Sequence, residues 1–205
     1  MRHFLLYLSF LLSSVLSAQD TSLLDRFYHG ISGSCVEMTF AYSARVSGVN
    51  TGGSGHLTAQ GMKWVMKGNG VEMYCDSAAV WIMDPSAKEV VIEPASAQGD
   101  MDMLANPAVI FMRLREMFAL SDAVASEDGK AVIYILKPKS ESDIDYFNLE
   151  ILTSDASVRS GSLAMDDGSL IRIEVSDMKL TPERSPGFFR PGTGFDSSWI
   201  VTDLR

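Results

Sequence analysis

The sequence predicts a mainly β (α+β) fold: an open, curled antiparallel sheet, an incomplete barrel, with a short N-terminal helix and a second helix inserted mid-chain. About ten short segments alternate apolar and polar residues, as half-buried strands do. Only two segments show helical periodicity. A sheet with so many apolar faces must curl, split or close to bury them. The two helices therefore either complete a packed core or cover a partly empty concavity, and the 12 methionines suit both arrangements.

Residues 1–18 are predicted to be a secretory signal peptide. A basic start at Arg2 precedes an apolar stretch that ends at Leu16, and Ser17-Ala18 provides a small-residue cleavage site. The apolar stretch is shorter than the roughly 20 residues that span a bilayer. We therefore expect cleavage near Ala18 and release into the cell envelope. Residues 19–205 then form a single domain that is not embedded in the membrane.

A short amphipathic helix is predicted at residues 23–29, with Leu23, Leu24 and Phe27 on one side. Antiparallel strands joined by hairpins follow from residue 36 to residue 94. Their turns are expected at Gly52-Gly53 and at Gly68-Asn69-Gly70. The apolar faces of these strands are predicted to carry Val36, Met38, Phe40, Tyr42, Val46, Trp64, Met66, Val71, Met73, Cys75, Ala79, Trp81, Met83, Val90 and Ile92.

The second helix is predicted to begin at Asn106-Pro107, with Asn as the N-cap and Pro in the first turn. Its apolar stripe, spaced by three and four residues, consists of Ile110, Phe111, Leu114, Met117 and Phe118. Strands are then expected at residues 131–137, 146–152, 161–165 and 170–175. An irregular tail at 182–193 and a last short strand at 199–201 complete the chain.

Composition and motifs exclude several classes of function. The net charge of −9 argues against binding to nucleic acid or to an anionic membrane surface. The histidines are His3, His29 and His56, and no pair has metal-ligand spacing. The sequence has no nucleophile elbow, phosphate-binding loop or dinucleotide fingerprint. We therefore expect no enzyme activity, no catalytic residues, no metal and no cofactor.

The sequence leaves open whether the two cysteines form a disulfide. Export favours a bridge between Cys35 and Cys75. The predicted meander, however, separates them by three strand spacings, or about 14 Å, which exceeds the ~7 Å that a bridge allows between Cα atoms. Only strong curling of the sheet would bring them together.

Two short motifs carry a resemblance to a known family. Gly55-His56-Leu57 precedes a hydrophobic strand, and Asp76 is followed five residues later by Trp81 and then by Asp84-Pro85. Here the chain resembles the periplasmic outer-membrane lipoprotein carrier family, LolA, whose members show G-x-L and then D-G-x-x-x-W-x-x-[DN]-P. The resemblance extends in weaker form over most of the chain, to Asp203-Leu204-Arg205.

The resemblance implies a helical lid over a hydrophobic cavity that binds the acyl chains of lipoproteins in the periplasm and carries them to the outer membrane. It implies a monomer whose partners are lipoproteins, an inner-membrane releasing complex and an outer-membrane acceptor. The expected cavity residues are Phe40, Tyr42, Trp64, Met66, Met73, Trp81 and Met83. The expected lid residues are Phe111, Leu114 and Phe118.

The chain also departs from the family pattern. Members carry an Arg after the G-x-L strand that pins the lid, whereas residues 55–67 contain no Arg and offer only Lys63. The usual D-G pair is Asp76-Ser77. Two alternatives therefore stay open: a carrier or sensor of another lipid or amphiphile on the same fold, and a non-transporting envelope binding module with a packed core.

Overall fold

The computed structural model describes residues 22–95, 107–192 and 194–205. The expected signal peptide and the expected N-cap Asn106 lie outside the described residues. Within those ranges, no helix combines the length and the apolar character that crossing a membrane requires.

The described residues form twelve strands and two α-helices. Helix α1 covers residues 22–32 and helix α2 covers Pro107–Met117. The first six strands are β1 (Cys35–Val46), β2 (Val49–Gln60), β3 (Lys63–Gly68), β4 (Val71–Cys75), β5 (Ala79–Asp84) and β6 (Glu89–Pro94). After α2 come β7 (Phe118–Ala125), β8 (Ala131–Pro138), β9 (Ile144–Leu152), β10 (Val158–Met165), β11 (Leu170–Thr181), a 3-10 helix (Pro186–Phe189) and β12 (Ile200–Asp203).

All twelve strands belong to one sheet, in the order β12-β6-β5-β4-β3-β2-β1-β11-β10-β9-β8-β7. Neighbouring strands are antiparallel, except that β12 pairs parallel with β6. The edge strands β7 and β12 do not pair with each other, so the sheet is open. The predicted open antiparallel sheet is confirmed. Strand β7 was not predicted, and Phe118 begins it instead of ending the helix.

The two helices pack on one face of the sheet, which we call the inner face; the opposite face is the outer face. Leu23, Leu24 and Phe27 of α1 are buried there, as the sequence predicted. They share one core cluster with the α2 side chains Ile110, Phe111 and Leu114 and with inward side chains of β1–β5 and β8–β11. The sheet thus curls around both helices.

The described residues after β11 cross the outer face, and we call residues 182–192 and 194–205 the C-terminal strap. Fully buried Phe189 packs against Cys35 and Val65. Further along, Phe195 and Trp199 pack against a cluster of Ala79, Met83, Val90 and Ile92. The tail expected to be irregular therefore covers the outer face and ends by adding a strand to the sheet.

The turn between β1 and β2 lies at Ser47-Gly48, and the turn predicted at Gly52-Gly53 is wrong. Ser47 and Gly48 have φ of 50° and 79°, as the two central residues of a tight hairpin turn require. Gly52 and Gly53 lie inside β2. A Cβ on Gly52 would lie 2.8 Å from the Tyr42 carbonyl oxygen. Gly52 therefore permits close backbone approach within the sheet, whereas a Cβ on Gly53 would overlap the Asn69 side chain.

The placement of Trp81 and Met83 on the cavity face is wrong. Cys75 pairs with Val80 across four intervening residues, and residues paired in this way share a face of the sheet. Since Cys75 lies in the inner core, Val80 and Ile82 follow it inward. Trp81 and Met83 therefore belong to the outer face. The inward-facing residues of β4 have odd numbers up to Cys75, and those of β5 have even numbers from Val80 onward, because four residues separate the two. The prediction assumed that odd-numbered residues stay inward after the turn.

The two cysteines are free. Cys35 is buried in the outer-face cluster, whereas Cys75 is buried in the inner core. The sheet thus stands between the two thiols. Burial raises the pKa of each, which favours the protonated form.

Candidate functional site

An apolar groove opens on the inner face where β1 to β4 lie side by side, and we call it the β1–β4 groove. Its volume is about 180 Å³. One cross-strand row in it runs Phe40, Gly55, Gly68 and Val71. The complete set of lining residues is Phe40, Tyr42, Ser54, Gly55, Met66, Gly68, Asn69, Val71 and Met73.

Glycines in the middle of that row create the groove. A Cβ on Gly55 would lie 2.9 Å from the Lys67 carbonyl oxygen and 3.1 Å from Phe40 Cζ. A Cβ on Gly68 would overlap the backbone of Ser54 and Gly55. Neither position has room for a side chain, so two central positions of the inner face stay bare. The sequence predicts a turn at Gly68, and its pattern does not mark either glycine as part of a site.

The walls of the groove are apolar and adaptable. Phe40 and Met73 are buried, while Tyr42, Met66 and Val71 remain half-buried at the opening. Methionine side chains can repack around apolar groups of different shape. Phe40, Tyr42, Met66 and Met73 are among the cavity residues that the family resemblance implies, and the structure brings these four together. Their role in binding a ligand remains a prediction.

The rim of the groove is polar but uncharged. Asn69, at φ 52° in the Asn-Gly turn, folds its side chain over β2. Its Oδ1 accepts a hydrogen bond from the Ser54 backbone N–H at 3.4 Å, and its Nδ2 donates to the Tyr42 hydroxyl oxygen at 3.3 Å. Among the described residues that line the groove, none carries a charge.

Among the described residues, little space remains where α1 and α2 meet strands β1 and β2. The cavity there has a volume of about 10 Å³, close to the minimum that one water molecule needs. The lid residues Phe111, Leu114 and Phe118 are all buried in the core cluster. The rings of Phe111 and Phe118 contact that of Phe147, with centroids 6.2 Å and 5.9 Å apart. Trp64 is buried in the same cluster and does not line the groove.

Polar contacts hold the C-terminal end of α2. Lys139 donates from its backbone N–H to the Met117 carbonyl at 2.8 Å and from Nζ to the Arg115 carbonyl at 2.9 Å. The Arg115 guanidinium lies 5.8 Å from the centroid of the Tyr28 ring on α1. Lys63, opposite Gln60 in the β2–β3 ladder, lies on the outer face and cannot replace the arginine that pins the lid in the resembled family.

The second of the two motifs that carry the family resemblance, from Asp76 to Pro85, lies on the outer side and in turns. Asp76 Oδ1 accepts from the backbone N–H groups of Ala78 and Ala79 at 2.9 and 3.0 Å. Its Oδ2 accepts from Arg190 Nε of the strap at 2.6 Å. Trp81 packs in the outer cluster with the strap. These residues therefore stabilise the fold and do not contribute to the groove.

No group of three or more His, Cys, Asp or Glu side chains that could hold a metal ion occurs in the described ranges.

Comparison with known proteins locates the fold but not the function. No family model matches the chain, and no curated protein matches it. Among solved structures, an uncharacterized conserved protein from Thermus thermophilus is 14% identical, with 89% of this chain and 98% of that chain covered and a TM-score of 0.55. At that identity the similarity shows the fold alone.

Two further solved structures are more distant. A LolA superfamily protein from Nitrosomonas europaea is 12% identical, with 84% and 97% of the two chains covered and a TM-score of 0.46. A putative outer membrane lipoprotein-sorting protein domain from Vibrio parahaemolyticus is 9% identical, with 82% and 94% covered and a TM-score of 0.45. The fold that the chain shares with the Thermus thermophilus protein is an open curled sheet with helices on its inner face.

Proposed function

We propose that the protein is a periplasmic carrier that binds the acyl chains of lipoproteins on its inner face and carries them toward the outer membrane. The observation that carries the proposal is the uncharged, apolar β1–β4 groove. It adjoins the helix-filled interior, because Met66 in the groove lies opposite Leu57 beneath the helices. The described side chains that lie between the groove and the helices, such as Met38, Leu57 and Phe111, are apolar.

The energetics of exchange support a lid that moves. Burying a side chain such as Phe111, Leu114 or Ile110 contributes about 1.5–3 kcal/mol. An acyl chain of about a dozen methylenes contributes about 10 kcal/mol at ~0.8 kcal/mol each. One or two acyl chains can therefore replace the packing of α2 against the inner face. Capture and release then need no covalent chemistry.

The cellular setting belongs to the same proposal. The predicted signal peptide at residues 1–18 leads to the periplasm, where a monomeric carrier receives cargo from an inner-membrane releasing complex and delivers it to an outer-membrane acceptor. The net charge is −9 for the full sequence and −10 once Arg2 leaves with the signal peptide. This negative charge keeps an unloaded carrier from adsorbing to anionic membrane surfaces during that passage.

A second candidate is a carrier or sensor of another amphiphile, and the size of the groove favours it. The groove of about 180 Å³ is smaller than the roughly 300–1,000 Å³ of most small-molecule sites. It is close to the ~150 Å³ apolar cavity that holds benzene in an engineered protein. A single-chain amphiphile could insert its end without any movement of the helices, whereas a lipoprotein with several chains requires α2 to leave.

Native mass spectrometry of the full chain, exported and purified without detergent, tests the proposal. We expect a protein mass that begins after Ala18, together with adducts that resolve into acylated lipoproteins. Adducts of free lipid would replace the first candidate by the second. A mass without adducts, unchanged after incubation with liposomes and a purified lipoprotein, would contradict both and favour an envelope binding module with a packed core.

A further inference from the structure

The β1–β4 groove has a hydrogen-bond donor with a free proton at its rim. We propose that the Tyr42 hydroxyl donates to the carbonyl oxygen of an uncharged, ester- or amide-linked acyl chain, and that Asn69 holds the hydroxyl in position for this contact. The inference rests on the proposed function, because it assigns the polar contact of the ligand that the groove takes.

The orientation of the Asn69 amide determines the role of Tyr42. The Ser54 backbone N–H can only donate, so the atom of Asn69 that faces it is the acceptor Oδ1. The other end of the amide is therefore Nδ2, which can only donate, and it faces the Tyr42 hydroxyl oxygen. Tyr42 accepts in that hydrogen bond, and its own proton is left for another partner. No acceptor for that proton occurs in the part of the chain that the structure describes.

The chemistry of the lining specifies which acceptor fits. The described lining residues are apolar apart from Tyr42, Ser54 and Asn69, and none is charged. A carboxylate or phosphate brought into this lining would lose water without gaining a cation, which is costly. A carbonyl oxygen needs one donor, and the Tyr42 hydroxyl supplies it. The site thus prefers an ester- or amide-linked acyl chain to an ionised fatty acid of the same length.

A simpler role for Asn69 is the turn alone. Asn-Gly is favoured at the centre of a tight hairpin because both residues adopt positive φ, as Asn69 and Gly70 do with φ of 52° and 80°. That role does not require the side chain to reach Tyr42. Asn69→Asp separates the two roles, because Asp-Gly is also favoured in such turns. A carboxylate accepts from the Tyr42 hydroxyl instead of donating to it, and so occupies its proton.

The test compares three ligands of equal chain length: methyl dodecanoate, dodecane and, at pH 8, dodecanoate. Their dissociation constants are measured on the full mature chain by nuclear magnetic resonance of ¹³C-labelled methionine methyl groups. The variants are Tyr42→Phe and Asn69→Asp. Tyr146→Phe is the matched control, because Tyr146 lies on the opposite face of the sheet, beside Lys137.

We expect the wild-type protein to bind the ester more tightly than either other ligand. Tyr42→Phe and Asn69→Asp should each weaken ester binding about 2- to 10-fold, the range for one neutral hydrogen bond. Binding of dodecane should be unchanged in Tyr42→Phe, and Tyr146→Phe should behave as the wild type.

Three results would overturn the inference. Equal losses for ester and dodecane in Tyr42→Phe would show a packing role for the ring. An unchanged ester affinity would show that the hydroxyl makes no contact. Dodecanoate binding tighter than the ester would contradict the preference for an uncharged head group. If the wild-type protein binds none of the three ligands, both the proposed function and the inference fail. If it binds all three and the variants change nothing, only the inference fails.

Discussion

We expect Leu114→Ala to lower the stability of the protein and at the same time to raise its affinity for long acyl ligands. Leu114 is fully buried between α2 and the inner face, and truncating such a leucine costs about 3 kcal/mol. If α2 leaves the inner face when acyl chains bind, that packing is already absent from the loaded state. The substitution then destabilises only the empty, closed state. The apparent affinity should rise by as much as about 100-fold, since each 1.4 kcal/mol is tenfold.

The matched control is Ile92→Ala. Ile92 is a buried aliphatic side chain of similar size in the outer cluster, away from the helices. It should lose a comparable amount of stability in urea denaturation, with ligand affinity unchanged. Affinity that falls or stays constant in Leu114→Ala would mean that α2 is a permanent part of the core.

Aspartate substitutions are less informative at these positions. Phe111 and Leu114 are both buried in the core cluster, where a charge without a partner is costly. Phe111→Asp and Leu114→Asp should therefore lower stability whether or not α2 moves, whereas the alanine variant separates the two cases.

The second large effect is expected from Asp76→Ala, which should lower the free energy of unfolding by about 3 kcal/mol. The Asp76 side chain is 6% exposed and holds three donors: two backbone N–H groups of its turn and the Arg190 guanidinium of the strap. Alanine leaves these donors without their acceptor. Urea denaturation measures the loss.

The loss should depend on pH. Burial alone would raise the pKa of Asp76, but the hydrogen bonds from Ala79, Ala78 and Arg190 outweigh burial and lower the pKa. A carboxyl whose pKa is lower in the folded than in the unfolded chain stabilises above the unfolded value, about 3.9. That stabilisation disappears as pH falls through the folded value. The difference between wild type and Asp76→Ala should therefore be full at pH 7 and shrink below about pH 4.

Asp84→Ala is the control for that experiment. Asp84 accepts from the backbone N–H groups of Ser86 and Ala87 in the same pattern. It is only half-buried, and no Arg among the described residues contacts it. Its loss should be clearly smaller. Equal losses in the two variants would show that Asp76 contributes only a turn contact and that Arg190 does not hold the strap.

The strands were predictable because alternation with a period of two is visible wherever one face is buried. The face of the sheet on which a residue lies was not predictable where it depends on the length of the preceding turn. Trp81 and Met83 were assigned to the wrong face because the parity of the residues after Asp76 follows from the length of the turn, which the sequence does not state. Strand β7 was missed because its residues are mostly exposed and show no alternation. The parallel pairing of β12 with β6 depends on the path of the strap across the outer face.

The site was predictable in part for the same reason. Phe40, Tyr42, Met66 and Met73 follow the alternation of their strands and converge on the groove. The other lining residues were not placed in the site: Ser54, Gly55, Gly68, Asn69 and Val71. Of these, the glycines shape the groove because they have no side chain, and Asn69 shapes it because its amide reaches Tyr42. Glycines at alternate positions 53 and 55 of β2 gave a usable signal, since glycine within a strand marks a close approach.

The most direct test of the account is a titration of the mature chain with a defined lipoprotein acyl moiety, followed through ¹³C-labelled methionine methyl groups. Met66 and Met73 line the groove and Met38 lies beneath the helices, whereas Met83 lies on the outer face. The account predicts saturable shifts of the Met66 and Met73 methyl signals at the first additions. It also predicts a shift of Met38 as α2 is displaced, and a Met83 signal that does not move. Shifts confined to Met83, or no shift at any methionine up to the solubility limit of the ligand, would contradict an acyl-binding inner face.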